Sequence, residues 1–134
     1  MLTTIEKEVF SDCINLYEIT LPNSITSIKE QAFYNCSNLN SINIPDSVTS
    51  IEKYAFFLCD KLSKVNITNL TLWCKIKFTD RTSNPLYSAK HLYLNNEDIT
   101  NLVIPDNITS IGDYTFINCT NFTSVTIPAN ISSI

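Results

Sequence analysis

The chain has 134 residues, of which 44% are hydrophobic and only 16% are charged. Thirteen acidic residues against nine Lys and Arg give a formal net charge of −4. The basic residues are scattered, so no patch suited to phosphates exists and a nucleic-acid partner is not expected. No apolar run approaches the roughly 18 residues that a membrane span needs, so membrane insertion is not expected either.

A near-repeat of 23 residues runs through the chain. Three kinds of marker keep this step on both sides of one longer interval: Pro22, Pro45, Pro105 and Pro128; Cys13, Cys36, Cys59 and Cys119; Phe10, Phe33, Phe56 and Phe116. A fixed period in the twenties is typical of a solenoid, because one coil cannot bury its apolar face alone. We therefore predict one domain over residues 1–134. Its coils lie at about 1–22 (partial), 23–45, 46–68, 69–105 (expanded), 106–128 and 129–134 (partial).

A regular coil begins with a strand. In residues 39–62, taken as one full period of the repeat, Ile42 and Ile44 alternate with polar Asn43, as a half-buried strand requires. Pro45 ends the strand because it has no N–H to donate. The stretch 48–51 then predicts a second short strand whose two apolar ends point inward.

The rest of each coil predicts a short helical segment and a turn. Apolar residues at 51, 55, 56 and 59 follow steps of three and four, which favours a short α- or 3₁₀-helix with one buried face. The chain has a single glycine, Gly112. We expect Asn and Asp to fill the positions that need a left-handed backbone, since they tolerate it best after glycine.

One coil is longer than the others, with 37 positions between Ile67 and Ile104. Leu92 and Leu94 alternate around Tyr93, and the following residues 95–98 are turn formers. This pattern predicts a β-hairpin, because Asn favours the positive dihedrals of tight hairpin turns. Insertions in solenoids often map to a binding face. The alternative is a spacer that only bends the stack.

The repeated residues resemble the BspA-type, or treponemal-type, leucine-rich repeat family. The string Ile-Pro-x-x-Ile/Val-Thr-Ser-Ile is followed by Ala-Phe-x-x-Cys-x-x-Leu-x-x-Ile-x-Ile-Pro, at 21–45, 44–67 and 104–128. Thr68 stands where the pattern has proline. The Trp-Cys-x-Ile-x-Phe string at 73–78 resembles an expanded repeat of the same family.

This resemblance implies an α/β solenoid. Its expected architecture is a right-handed leucine-rich repeat stack with a parallel β-sheet on one face. Short helical or 3₁₀ segments and short strands lie opposite, and one expanded repeat carries a β-hairpin. The resemblance also implies a cell-surface or secreted microbial protein linked to adhesion and binding of host proteins, a step that rests on analogy between folds.

Candidate ligand-binding residues are the variable positions of the main strands. They are Tyr17, Glu18, Thr20, Asn40, Ser41, Asn43, Ser63, Lys64, Asn66, Thr100, Asn101, Val103, Thr123, Ser124 and Thr126. Mostly Ser, Thr and Asn, they form a hydrogen-bonding face in which Tyr17 is the one aromatic anchor. Binding is therefore expected to be weak per coil and to sum over coils. The alternative is a solvated sheet face.

The cysteine series favours buried free thiols, since Cys behaves as a small hydrophobe. Disulfides between adjacent coils and a metal site are the less favoured alternatives, because the thiols are strung along the stack instead of converging. Cys74 stands outside the series. His91 has no nucleophile paired with it, which favours a structural role. We predict no catalytic residue, no metal site and no cofactor.

Seven Asn-x-Ser/Thr sequons occur, at Asn35, Asn66, Asn69, Asn107, Asn118, Asn121 and Asn130. They would accept glycans in a secreted eukaryotic protein. In a chain this rich in Asn, Ser and Thr, chance alone supplies several.

The leading functional hypothesis is a non-enzymatic protein–protein interaction or adhesion module that binds a host surface or matrix protein. The alternative is a structural spacer that displays another domain, and a remote one is an enzyme built around Trp73, Cys74 and His91. Both chain ends fall part-way through a coil without a polar cap. We expect a piece of a longer protein, or ends that associate end to end.

Overall fold

The computed structural model describes residues 1–134 and forms a parallel-strand β-solenoid of about five turns with little helix. In chain order the elements are β1 (Thr4–Ile5), β2 (Ser27–Ile28), β3 (Ser41–Asn43), β4 (Ser50–Ile51), β5 (Lys64–Ile67), α1 (Leu70–Trp73), β6 (Lys77–Phe78), α2 (Leu86–Ala89), β7 (Leu92–Leu94), β8 (Glu97–Asp98), β9 (Asn101–Val103) and β10 (Ser124–Thr126). The predicted solenoid with a parallel sheet is confirmed.

The strands form two rows along the stack. One row is the sheet β1-β2-β4-β6, and the other begins with β3-β5-β7. Regular neighbours pair at a step of 23, as in Ser27 opposite Ser50. Into the expanded coil the step becomes 27, because Ser50 lies opposite Lys77 and Val65 opposite Leu92. The expanded coil thus keeps both rows in register despite its extra residues.

The core is a file of inward-pointing side chains. Phe33 stacks between Phe10 and Phe56, with ring centroids 5.3 and 5.2 Å apart. This confirms the predicted apolar spine through the first three coils. Phe116 packs against the edge of the same core, and its ring contacts Phe122 at 5.9 Å.

The segments predicted as short α- or 3₁₀-helices are successive turns. Glu8, Phe10 and Asp12 donate their N–H groups to carbonyl oxygens of the next coil, at 3.1, 2.9 and 2.8 Å. An α-helix would direct those N–H groups to carbonyls four residues earlier in the same segment. The alternate N–H groups, of Ser11 and Cys13, donate three residues back at 3.0 and 3.3 Å, so 3₁₀-type bonds alternate with bonds between coils and no continuous helix forms.

Left-handed residues recur in these turns, and the expectation that Asn and Asp supply them is only partly correct. Five of the eleven are Asn or Asp: Asp12, Asn35, Asn95, Asn96 and Asn118. The other six are Glu8, Gln31, Tyr54, Leu58, Lys90 and Tyr114, and Gly112 is not among them. At Glu8 and Gln31 the N–H group donates to the next coil. The hydrogen bonds between coils thus stabilise a left-handed backbone at residues whose local propensity disfavours it.

The predicted hairpin is confirmed. β7 and β8 are antiparallel, and the turn residues Asn95 and Asn96 have φ of 51° and 65°. Positive φ at both central residues is the condition for a type I′ turn. The hairpin also divides the expected main sheet in two, since β9 and β10 pair only with each other.

The first coil contributes no main strand. Residues 17–21 are irregular, and the link to the second coil is the bond from Asn40 N to Tyr17 O at 3.1 Å. The main sheet therefore begins at β3, one coil later than the repeat predicts.

Both strand rows stop between the expanded coil and the coil that follows it, where side-chain hydrogen bonds join the coils together with the backbone bond from Thr120 N to Lys90 O at 3.2 Å. Trp73 Nε1 donates to Thr115 O at 3.1 Å. Asn84 Nδ2 donates to Tyr114 O at 2.8 Å and to Thr115 O at 3.2 Å. We call this contact the joint: Trp73 and Asn84 against Tyr114 and Thr115.

Candidate functional site

The outward side chains of β3, β5 and β7, with the residues beside them in register, form a surface that we call the sheet face. Its two rows are Ser41, Lys64 and His91, and Asn43, Asn66 and Tyr93. The inward residues between the rows, Ile42, Val65 and Leu92, are buried in the core. Strand alternation therefore fixes which side chains face outward.

The hairpin closes one end of the sheet face. Lys64 Nζ lies 3.1 Å from Asn96 Oδ1 and 4.8 Å from the centroid of the Tyr93 ring. Asn96 N donates to Asn66 Oδ1 at 2.7 Å. The turn of the hairpin is therefore fastened to β5, and Lys64 is held in a cation–π contact.

A groove of about 550 Å³ runs along the carboxyl ends of the main strands. Its polar lining includes Thr20, Asn43 and Asn66, followed by turn residues such as Asp46 and Thr68. Thr68, which replaces the expected proline, donates its hydroxyl to Asp46 Oδ1 at 2.8 Å. The groove offers hydrogen-bonding groups together with apolar surface from Leu21, Ile44 and Ile67.

The fifteen candidate residues fall on two separate surfaces. Those from Tyr17 to Asn66 lie on or before the sheet face, and those from Thr100 to Thr126 lie on or beside β9 and β10 beyond the hairpin. Twelve are exposed: Tyr17, Glu18, Thr20, Asn40, Asn43, Ser63, Thr100, Asn101, Val103, Thr123, Ser124 and Thr126. Ser41 and Lys64 are half-buried. Asn66 departs from the expectation of an outward contact, because it is buried beneath the hairpin and bonded to it.

The structure adds residues that the repeat did not single out as binding positions. Tyr93 and Asn96 join Lys64, and His91 Nδ1 lies 3.2 Å from Asp98 Oδ2. Asn121 also donates its amide to Asp98. The strand alternation around Tyr93 indicated in the sequence that this residue lies on a strand. That Tyr93 lies beside Asn66 on the sheet face follows only from the step of 27.

The asparagines of the sequons make hydrogen bonds that stabilise the solenoid. Asn35, Asn66, Asn107, Asn118, Asn121 and Asn130 each hydrogen-bond another coil through their side chains. Asn69 instead caps α1, its Oδ1 accepting from Leu72 N at 3.1 Å. Their abundance therefore has a structural explanation.

Comparison with known proteins identifies the fold family. The sequence profile of the BspA type leucine-rich repeat region matches residues 1–84 and 88–134 in six copies. The chain belongs to the BspA-type leucine-rich repeat family. No curated protein matches it.

Two solved structures of this kind are similar to the chain. A leucine-rich repeat protein from Bacteroides ovatus is 30% identical, with a TM-score of 0.59 over 95% of this chain and 29% of that one. The T. pallidum leucine-rich repeat protein is 18% identical, with a TM-score of 0.54 over 92% of this chain and 62% of that one. The chain thus spans less than two thirds of either protein.

BspA-type repeat proteins are generally non-enzymatic, and they are typically surface or secreted bacterial proteins. None of the helices in this chain is long and apolar enough to cross a membrane. Membership of the family is consistent with a protein-interaction module.

The thiols of this BspA-type stack are free; Cys36, Cys59 and Cys74 are buried as predicted, whereas Cys13 and Cys119 are half-buried. Cys36 and Cys59 donate their Sγ–H groups to Phe10 O and Phe33 O, each at 3.2 Å. Burial raises the pKa of Cys74 to about 11 and that of Cys119 to about 12, and the Asp98 charge adds to the rise at Cys119. Since the thiolate is the nucleophile, a raised pKa counts against the remote hypothesis of an enzyme that uses Cys74.

These thiols predict a loss of stability at alkaline pH. Burial, then the neighbouring thiol Cys36, raises the pKa of Cys59 from 9.0 to about 12. Above pH 9 the unfolded chain releases this proton while the folded chain keeps it, so the free energy of unfolding falls until the folded pKa is reached. Urea unfolding from pH 7 to 11 measures the decline.

A Cys59→Ala variant isolates the contribution of this thiol, because lysine and tyrosine titrate in the same pH range. We expect the variant to have lower stability at pH 7 but a shallower decline above pH 9. An identical slope in the two proteins would contradict the assignment.

Proposed function

We propose that the chain is a non-enzymatic protein-binding module of a surface or secreted microbial protein, and that it binds a host surface or matrix protein through the sheet face. The observation that carries the proposal is the Lys64–Tyr93–Asn96 cluster at the end of a hydrogen-bonding groove. The cluster supplies what the rest of the sheet face lacks, which is an aromatic ring and a cation side by side.

The energetics favour this part of the face. Interfaces draw most of their binding energy from a few Trp, Tyr and Arg anchors, and Ser and Thr contribute little. Tyr93 is half-buried and held by Lys64, so little side-chain freedom is lost when a partner covers it. The groove beside it offers hydrogen bonds that fix the orientation of the partner.

The repeat extends the contact. Neighbouring strands lie about 4.8 Å apart, so a partner segment laid across them meets a new pair of outward side chains at each coil. Weak contacts made at the same time add up to a useful affinity. The hairpin sets where that segment must stop or turn.

The test is binding to a panel of immobilised host extracellular matrix proteins, followed by interferometry. For any protein that binds, we expect Lys64→Ala with Tyr93→Ala to weaken binding by about thirtyfold, the effect of losing one hot spot. The matched control is Lys75→Ala with Tyr114→Ala, which removes the same residue types from exposed sites outside the sheet face.

Equal binding by the two double variants would exclude the sheet face as the contact. A panel without any binder would instead favour the spacer function. In that case shortening the stack, and not altering its surface, should abolish activity of the full-length protein.

A further inference from the structure

A second cluster of aromatic rings lies on the turn segments and on α2, away from the main strands. Phe57 is at its centre, with ring centroids 6.3 Å from Tyr34, 5.4 Å from Tyr54 and 5.9 Å from Tyr87. We call these four residues the aromatic stripe. They come from three successive coils, so the stripe runs along the stack.

The aromatic stripe lies beside the buried row of phenylalanine rings formed by Phe33 and Phe56, and it is more exposed than that row. Tyr34 and Phe57 directly follow Phe33 and Phe56 in the sequence, yet Phe33 and Phe56 are fully buried while all four stripe residues are half-buried. The core is therefore complete without the exposed parts of these rings. Partly exposed aromatic rings of this kind are enriched where proteins bind other proteins.

Two cations without carboxylate partners border the stripe. Lys53 Nζ lies 5.5 Å from the centroid of the Tyr54 ring. Arg81 is exposed and precedes Thr82, whose hydroxyl accepts from Tyr54 N at 3.1 Å. Neither Lys53 nor Arg81 forms a salt bridge in a chain whose net charge is −4.

The carboxylates that precede these cations in the sequence have other hydrogen-bond partners. Glu52 accepts from Lys29 Nζ at 3.0 Å and from Glu30 N at 3.1 Å. Asp80 accepts from Thr82 N at 2.8 Å. Lys53 and Arg81 are thus two cations beside the stripe that form no salt bridge within the protein.

We propose that the aromatic stripe, with Lys53 and Arg81, is a docking surface for an acidic protein segment that carries aromatic side chains. The rings of the segment pack against Phe57 and its neighbours, and its carboxylates pair with the two free cations. This surface is chemically distinct from the sheet face, where hydrogen-bonding residues dominate. It therefore binds a different kind of partner from the one proposed above, and the two surfaces can act independently.

The test uses random copolymers as probes, since they present the required chemistry without a chosen sequence. We expect the protein to bind a glutamate–tyrosine copolymer at least tenfold more tightly than polyglutamate of equal length. Lys53→Gln with Arg81→Gln should weaken binding of the glutamate–tyrosine copolymer by about tenfold, the effect of two exposed ion pairs.

The matched control is Lys75→Gln with Lys77→Gln, which removes two exposed lysines that also make no salt bridge. It should bind the copolymer within twofold of the unaltered protein. NMR amide shifts of the unaltered protein should change at the stripe residues when the copolymer is added, and this readout does not depend on the folding of a variant. Equal weakening by both double variants, equal binding of polyglutamate, or shifts confined to the sheet face would overturn the proposal.

Discussion

Replacing Phe33 with alanine is expected to lower the free energy of unfolding by about 3–5 kcal/mol, the usual effect of deleting a buried aromatic ring. Phe33 is fully buried and stacked on both sides, with interplanar angles of 16° to Phe10 and 10° to Phe56. Domains are commonly stable by only about 5–15 kcal/mol. Phe33→Ala should therefore remove a large share of the stability and shift the urea midpoint strongly to lower concentration.

The matched control is Tyr34→Ala, which deletes a ring of similar size one residue later. Tyr34 is half-buried and belongs to the aromatic stripe. Since much of its ring stays in contact with water in the folded protein, we expect less than half the loss seen for Phe33→Ala. Equal losses of unfolding free energy for the two variants would show that the buried row of Phe10, Phe33 and Phe56 does not dominate the stability of the stack.

The buried row of phenylalanine rings could be predicted from the sequence because burial repeats with the coil. Phe33 and Phe56 lie at one step of the period, and a stack with that period places them in contact. The same reasoning gives the paired strands, since Ser27 and Ser50 also differ by one step. Features fixed by the repeat therefore follow from the sequence alone.

The turns could not be predicted in the same way. Apolar residues at steps of three and four occur in a short helix and equally in a series of turns with one buried side. The distinction here lies in hydrogen bonds such as Asp12 N to Tyr34 O, between residues in different coils. No local pattern in the sequence specifies these bonds, and they also place Glu8 and Gln31 at positive φ.

The candidate site was predictable only where the repeat is regular. Asn43 and Asn66 lie opposite each other at the usual step. Tyr93 joins them only because the next step is 27, and the sequence does not show how the extra residues divide between coil and hairpin. The anchor of the sheet face was therefore missed, although the hairpin that carries it was predicted.

We expect Trp73→Ala to let the coils on the two sides of the joint unfold separately. Trp73 is 1% exposed, its ring lies 5.3 Å from that of Phe78, and its Nε1 donates to Thr115 O across the joint. The loss should be about 3–5 kcal/mol. Because no strand pairing crosses the joint, the coils after residue 98 should lose hydrogen-exchange protection well before residues 1–95 do.

Trp73→Phe separates the two contributions of the side chain. It keeps an aromatic ring in the core but removes the donor to Thr115 O, which then accepts only from Asn84 Nδ2. This variant should lose about 1 kcal/mol for the hydrogen bond plus a smaller packing term, and its exchange pattern should stay close to that of the unaltered protein. If Trp73→Ala instead lowers protection evenly from the first coil to the last, the joint is as cooperative as the paired strands. The side-chain bonds of Trp73 and Asn84 would then couple the coils as firmly as a continuous sheet does.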